Sequence, residues 1–149
     1  MATDQQESRL WQERRIAYAA FMDAEMDATG KIDWAWLVNV RQPLPDEGGD
    51  HPLRQEATQA LELASEAIDK VARQSQEVLL ITSSDAVQQA VRTYLAAMSS
   101  NTLLTARADS QEGSAERQAL VQQLTLGHHQ FVAAAREELR IRPGRVGAA

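Results

Sequence analysis

The sequence predicts an all-α protein, an antiparallel up-down-up-down four-helix bundle with a long irregular first connection. Composition is the first reason. Alanine, glutamine, glutamate, arginine and leucine dominate, aromatics are 5%, and the 7 glycines and 4 prolines gather largely around 30–52 and at the C-terminus. Such a chain favours helices and leaves little for a sheet. Periodicity is the second. Between Pro52 and Thr82, apolar residues fall at Ala57, Leu61, Ala64, Ile68, Val71, Ala72, Val78, Leu79 and Thr82, the three-and-four rhythm of one helical face. A helix of about 30 residues would be about 45 Å long, and its stripe needs partners to be stable in water. Three further segments offer stripes of comparable length, which suits a bundle.

Taken in order, helix 1 is expected over about 4–29. Thr3 and Gln6 resemble a capping box, Asp4 and Glu7 suit the positive end of the dipole, and Gly30 supplies a C-terminal stop. Leu10, Trp11, Ala17, Tyr18, Phe21, Met22 and Ala28 form its stripe. Arg14 lies within that stripe and reads as a structural arginine, its stem on the aromatics and its head at solvent or a carboxylate; a ligand-binding arginine is the alternative. Residues 30–52 exceed the roughly 2–8 residues that join helices in bundles. There Ile32, Trp34, Trp36, Val38 and Val40 alternate with less apolar neighbours, consistent with a strand-like arm or a turn or two of crossing helix. Trp34 and Trp36 either plug the bundle or anchor a partner protein, a role suited to tryptophan. Asp46, Glu47 and Asp50 lack the spacing of a calcium loop and read as a solvated acidic segment.

Helix 2 is expected over about 53–82, capped by Asp50 with Pro52 in its first turn. Val78, Leu79 and Thr82 keep its phase, with a strand at 78–82 as the alternative. Ser83, Ser84 and Asp85 mark a break and a new cap, opening helix 3 over about 85–108, with Val87, Ala90, Val91, Tyr94, Leu95 and Met98 inward. Helix 4 is expected over about 114–140, capped by Ser114, with Leu120, Val121, Leu124, His128, Phe131, Val132, Ala135 and Leu139 inward. Pro143 and Gly144 end it, and 143–149 is expected to be a disordered tail. The whole chain, 1–149, reads as one domain.

Several classes of function lose support. There is no cysteine, hence no disulfide, thiolate zinc site or cysteine nucleophile. The net charge of −6, from 21 acidic and 15 basic residues, argues against a nucleic-acid binder. No run approaches a spanning helix, the first residues lack a signal pattern, and Lys31 and Lys70 are the only lysines for a membrane surface. A cytoplasmic location is expected. His128 and His129 point about 100° apart on a helix and cannot share a metal. Catalytic residues, metal ligands and cofactors are therefore expected to be none. Leftover apolar residues at Leu63, Leu103 and Leu126 leave room for a homodimer.

Glu66-Ala67-Ile68-Asp69, with Glu62 one turn earlier, resembles the second half of the ExxE…ExxD pattern of all-α MazG-type nucleotide pyrophosphohydrolases. That resemblance implies a metal-dependent hydrolase using Glu62, Glu66 and Asp69, but its first half is missing. A second likeness spans three of the four helices. Arg14, Arg15, Tyr18 and Phe21, then Ser84 and Val87, then Phe131, Arg136 and Leu139 resemble a pattern in small uncharacterised helical proteins of actinobacteria and their phages. It implies a helical bundle from a bacterial or phage source, without an assigned activity. The sequence thus points to a non-enzymatic protein–protein interaction or regulatory role, with the hydrolase as alternative.

Overall fold

The structure, a computed structural model, describes residues 2–40, 52–99 and 111–140, with side chains for 4–38, 55–99 and 115–140. Four helices lie there: α1 (Ala2–Val40), α2 (Pro52–Ile81), α3 (Asp85–Met98) and α4 (Gln111–Leu139). No strand occurs among the described residues. Val78 to Ile81 is helical, so the strand alternative at that point is set aside.

The main departure from expectation is α1. It does not stop at Gly30 but continues to Val40 as a 39-residue helix, about 58 Å long. Packing is the reason. Ala28, Ile32, Ala35 and Val38 are all buried, and their steps of four, three and three carry the stripe across the glycine. Burial of that stripe outweighs the roughly 1 kcal/mol that a glycine costs inside a helix. The alternation read at 32–40 is a coincidence of spacing, and the irregular connection expected over 30–52 begins no earlier than residue 41. The remaining 41–51 and the expected cap Asp50 lie outside the described residues, as do Leu103 and 143–149. α3 closes at Met98 on a Ser99 cap, where a helix to about 108 was expected, and residues 100–110 are not described. α4 opens at Gln111 rather than near Ser114.

α1 packs chiefly on α2, and α3 on α4. The buried stripe of α2 is Ala57, Ala60, Ala64, Ala67, Val71 and Val78, while α1 buries Ala17, Ala24, Ala28 and Ala35. Side chains this small permit a close approach of the helix axes, because interaxial distance follows the size of the contact residues. The other half of the core is aromatic. Phe131 of α4 meets Phe21 at 4.8 Å and Tyr18 at 5.6 Å, and Phe21 meets Tyr94 of α3 at 5.8 Å, all edge-to-face. Each such pair is worth about 0.5–1.5 kcal/mol beyond its burial.

One end of the molecule is clasped by polar contacts. Helices leave their last carbonyls unpaired, and α1 supplies donors to two of them. Arg14 Nε donates to Ile81 O at 2.7 Å, and Trp11 Nε1 donates to Leu139 O at 3.1 Å. The buried carboxylate of Glu138 accepts from Tyr18 Oη and from Thr82 Oγ1 (2.7 Å), with Arg14 Nε 3.5 Å away. Burial and the bond to Glu138 push the Tyr18 phenol well above its usual range. Thr82 Oγ1 also accepts from Ser84 N, and Ser84 Oγ accepts from Val87 N to cap α3. Along α1 and α4 the partners run in opposite order: Tyr18 with Glu138, Glu25 with His128, and Asp33 with Arg117.

Candidate functional site

Away from the clasp, α1 and α4 leave a groove of about 400 Å³ between them, with Tyr94 of α3 among its lining residues. The volume lies near the lower end of small-molecule pockets. Ile32 and Leu124 supply buried apolar walls, and Met26 and Val121 are the more exposed lining residues. The polar residues that matter most are Glu25, His128 and Tyr94.

Glu25 reaches this place because 18, 21, 25, 28 and 32 are successive positions on the buried face of α1. It is only 3% exposed. On α4, His128 occupies the matching face, between Leu124 and Phe131. His128 Nδ1 lies 2.5 Å from Glu25 Oε2. The other carboxyl oxygen, Oε1, is buried with no hydrogen-bond partner. Burial raises the Glu25 carboxyl above its usual range, while the hydrogen bond and charge of His128 pull it back in part. The Tyr94 hydroxyl, in a residue only 2% exposed, lies beside the Thr29 side chain. Burial, with the Glu25 charge adding to it and the Thr29 side chain opposing it in part, pushes that phenol well above its usual range. Buried polar atoms are normally satisfied, so the unpartnered Glu25 Oε1 is an exception to that rule.

Beyond the groove, Arg117 of α4 joins Asp33 at 2.8 Å and lays its guanidinium 4.3 Å over the ring of Trp36. Trp36 is therefore half-buried under a cation rather than presented outward. Trp34 is 45% exposed. Two residues apart on a helix, the indoles point to different sides, so the structure does not bring them together. Leu37, three residues on from Trp34, is also exposed. One turn before Trp34, Gly30 is exposed, and among the described residues nothing outside its own helical backbone lies within 4 Å of where its Cβ would be.

Arg14 sits in the clasp, bound to a carbonyl and close to a carboxylate. Glu62, Glu66 and Asp69 are exposed along α2. They do not combine into a metal site, and no group of three or more His, Asp or Glu able to hold an ion occurs among the described residues. His129 is exposed, its ring 5.8 Å from that of His128. Sequence reasoning passed over Glu25 and Arg117. The available signal was a carboxylate on the buried face of one helix and a histidine on the buried face of another. No helix is long and apolar enough among the described residues to cross a membrane. No protein-family model, curated protein or solved structure matches the chain.

Proposed function

We propose that this chain is a non-enzymatic interaction or regulatory protein, and that it meets a partner protein through the outer side of α1 around Gly30, Trp34 and Leu37. The observation that carries this is Gly30. A glycine inside a helix costs about 0.5–1 kcal/mol relative to alanine, and outside its own helical backbone no described residue touches the space its side chain would fill. Gly127 provides the contrast, because its Cβ would stand 3.3 Å from the Tyr94 backbone. The bare spot at Gly30 lies beside an exposed indole and an exposed leucine, an arrangement that lets another backbone approach closely and seat on Trp34. Trp36, committed to Arg117, supports that surface from within and is not its anchor.

The opposed order of contacts between α1 and α4 supports the finer architecture that accompanies this proposal, an antiparallel up-down-up-down bundle of four helices; the cytoplasm is the location we propose for it. Neither a nucleic acid nor a membrane is the partner we propose. A second copy of the chain is a permitted partner, since Leu63 and Leu126 are exposed as well. The hydrolase alternative gains no support from three solvated carboxylates.

The test places a photo-crosslinking benzophenone amino acid at Trp34, and separately at exposed Arg73 of α2, in the producing cell. A discrete adduct at Trp34 and none at Arg73 is expected, its mass distinguishing a second copy from another protein. Equal labelling at both positions, or none at Trp34, would refute the proposal.

A further inference from the structure

None of Gly30, Trp34 and Leu37 lines the groove between α1 and α4, so its chemistry is separate from the outer face of α1. We propose that this groove binds a small, neutral, apolar molecule through a phenolic hydroxyl that donates to Nε2 of His128.

Exposure decides which group a ligand meets. The Glu25 side chain is 3% exposed and sealed into the wall, whereas the His128 side chain is 39% exposed and lines the groove. Glu25 therefore acts through the imidazole. Its Oε2 lies 2.5 Å from Nδ1. A carboxylate on one ring nitrogen draws the proton to that side, leaves the lone pair on the other nitrogen and raises its basicity. With Nδ1 taken, Nε2 is the ring nitrogen left for a ligand, and it accepts. The rest of the lining competes weakly. The Thr29 and Thr125 hydroxyls donate to Glu25 O and Val121 O within their own helices, and Asp33 is neutralised by Arg117 at 2.8 Å. The remaining wall, Met26, Ile32, Val121 and Leu124, suits a hydrocarbon body. The complement of such a wall with one acceptor is a neutral donor on a flat apolar ring. A phenol is more acidic than an aliphatic alcohol, and so donates more strongly to a basic nitrogen. A ligand carboxylate would instead set a second negative charge near the buried one of Glu25, which desolvation disfavours.

The probes are para-cresol and para-chlorophenol, alike in size but not in acidity, and the methyl ether of each. They are titrated into the intact protein at neutral pH and followed by NMR at the methyl groups of Met26, Ile32, Val121 and Leu124 and at Nε2 of His128. Both phenols should shift these signals in a saturable way, and the ethers should bind about tenfold more weakly, roughly one neutral hydrogen bond. The chlorophenol, the stronger donor, should gain more over its ether than the cresol does. His128→Asn places an amide where Nδ1 stood and deletes Nε2, so it should reduce both phenols to the affinity of their ethers. His129→Ala should change nothing. If His128→Asn does not fold, the comparison of phenols with ethers decides alone. Equal affinity of phenols and ethers, a larger gain for the cresol, full affinity in a folded His128→Asn protein, or no saturable shift up to the solubility limit of the phenols would each overturn the proposal.

Discussion

Glu138 is the residue on which the clasped end depends. Its carboxylate is shared by Tyr18 and Thr82 and lies near Arg14, with a side chain only 6% exposed. Replacing it by alanine strands two hydroxyls and removes the counter-charge of a largely buried guanidinium. Glu138→Ala should lose about 3 kcal/mol in urea unfolding, while Glu137→Ala, which breaks only the exposed pair with Arg140, should leave the midpoint unchanged. Glu25 makes a pH-dependent contribution of determined sign. Its carboxyl is raised from the usual 4.5 in the folded state, so the native state holds more protons than the unfolded chain above that value. Stability therefore falls as pH rises through the window above about 4.5. The groups facing it are His128 on α4, Tyr94 on α3 and Asp33 on α1 itself, and His128 offsets part of the effect. Thermal melts of Glu25→Gln should show a difference, mutant minus parent, that is more positive at pH 7 than at pH 4. A flat or reversed trend would contradict this assignment. Individual roles of this kind were only partly legible in the sequence. Arg14 was readable because its neighbours three and four away are aromatic. Glu25 was hidden among Asp23 and Asp27, where periodicity alone separates a buried acid from a solvated one.

Among the elements, α1 and the joint between α2 and α3 were read with unequal success. The α2–α3 junction was legible, because Ser84 before Asp85 offers a side-chain acceptor that a helix start requires, and Ser84 caps Val87 N at 3.2 Å. The end of α1 was not, because a glycine and a pair of tryptophans signal a break locally, whereas the stripe that overrides them is defined only against the neighbouring helices. The core of α2 was half legible for a similar reason. Leu61 and Ile68 drew attention by size, yet they are only partly buried, and the fully buried positions are Ala60 and Ala67. Close packing selects small side chains that hydrophobicity ranks low. Gly127 belongs to this scale: a β-carbon there would meet the Tyr94 backbone at 3.3 Å. Gly127→Ala should therefore destabilise by about 1 kcal/mol in thermal or urea unfolding, overpacking exceeding the gain in helix propensity. A stabilised variant would show that α3 and α4 separate more freely than described.

For the whole molecule, the core that stabilises the fold and the outer face of α1 proposed for a partner are different parts. Of the residues from which a likeness to small actinobacterial and phage proteins was expected, Tyr18, Phe21 and Phe131 lie in the aromatic core, and Ser84 with Val87 at a cap. These are scaffold positions, so that pattern speaks of fold and leaves the groove and the outer face of α1 unassigned. The helical class was legible from composition and stripes because those are whole-chain properties. The partner surface proposed above was not, because the case for it rests on an exposed glycine whose surroundings among the described residues had first to be found empty. The most direct measurement is Gly30→Ala, read twice. We expect the isolated protein to gain about 0.4–1 kcal/mol in unfolding free energy, while the adduct formed by the photo-crosslinker at Trp34 falls sharply. A variant that is stabilised yet crosslinks as well as the parent would contradict the claim that this glycine is kept bare for a partner.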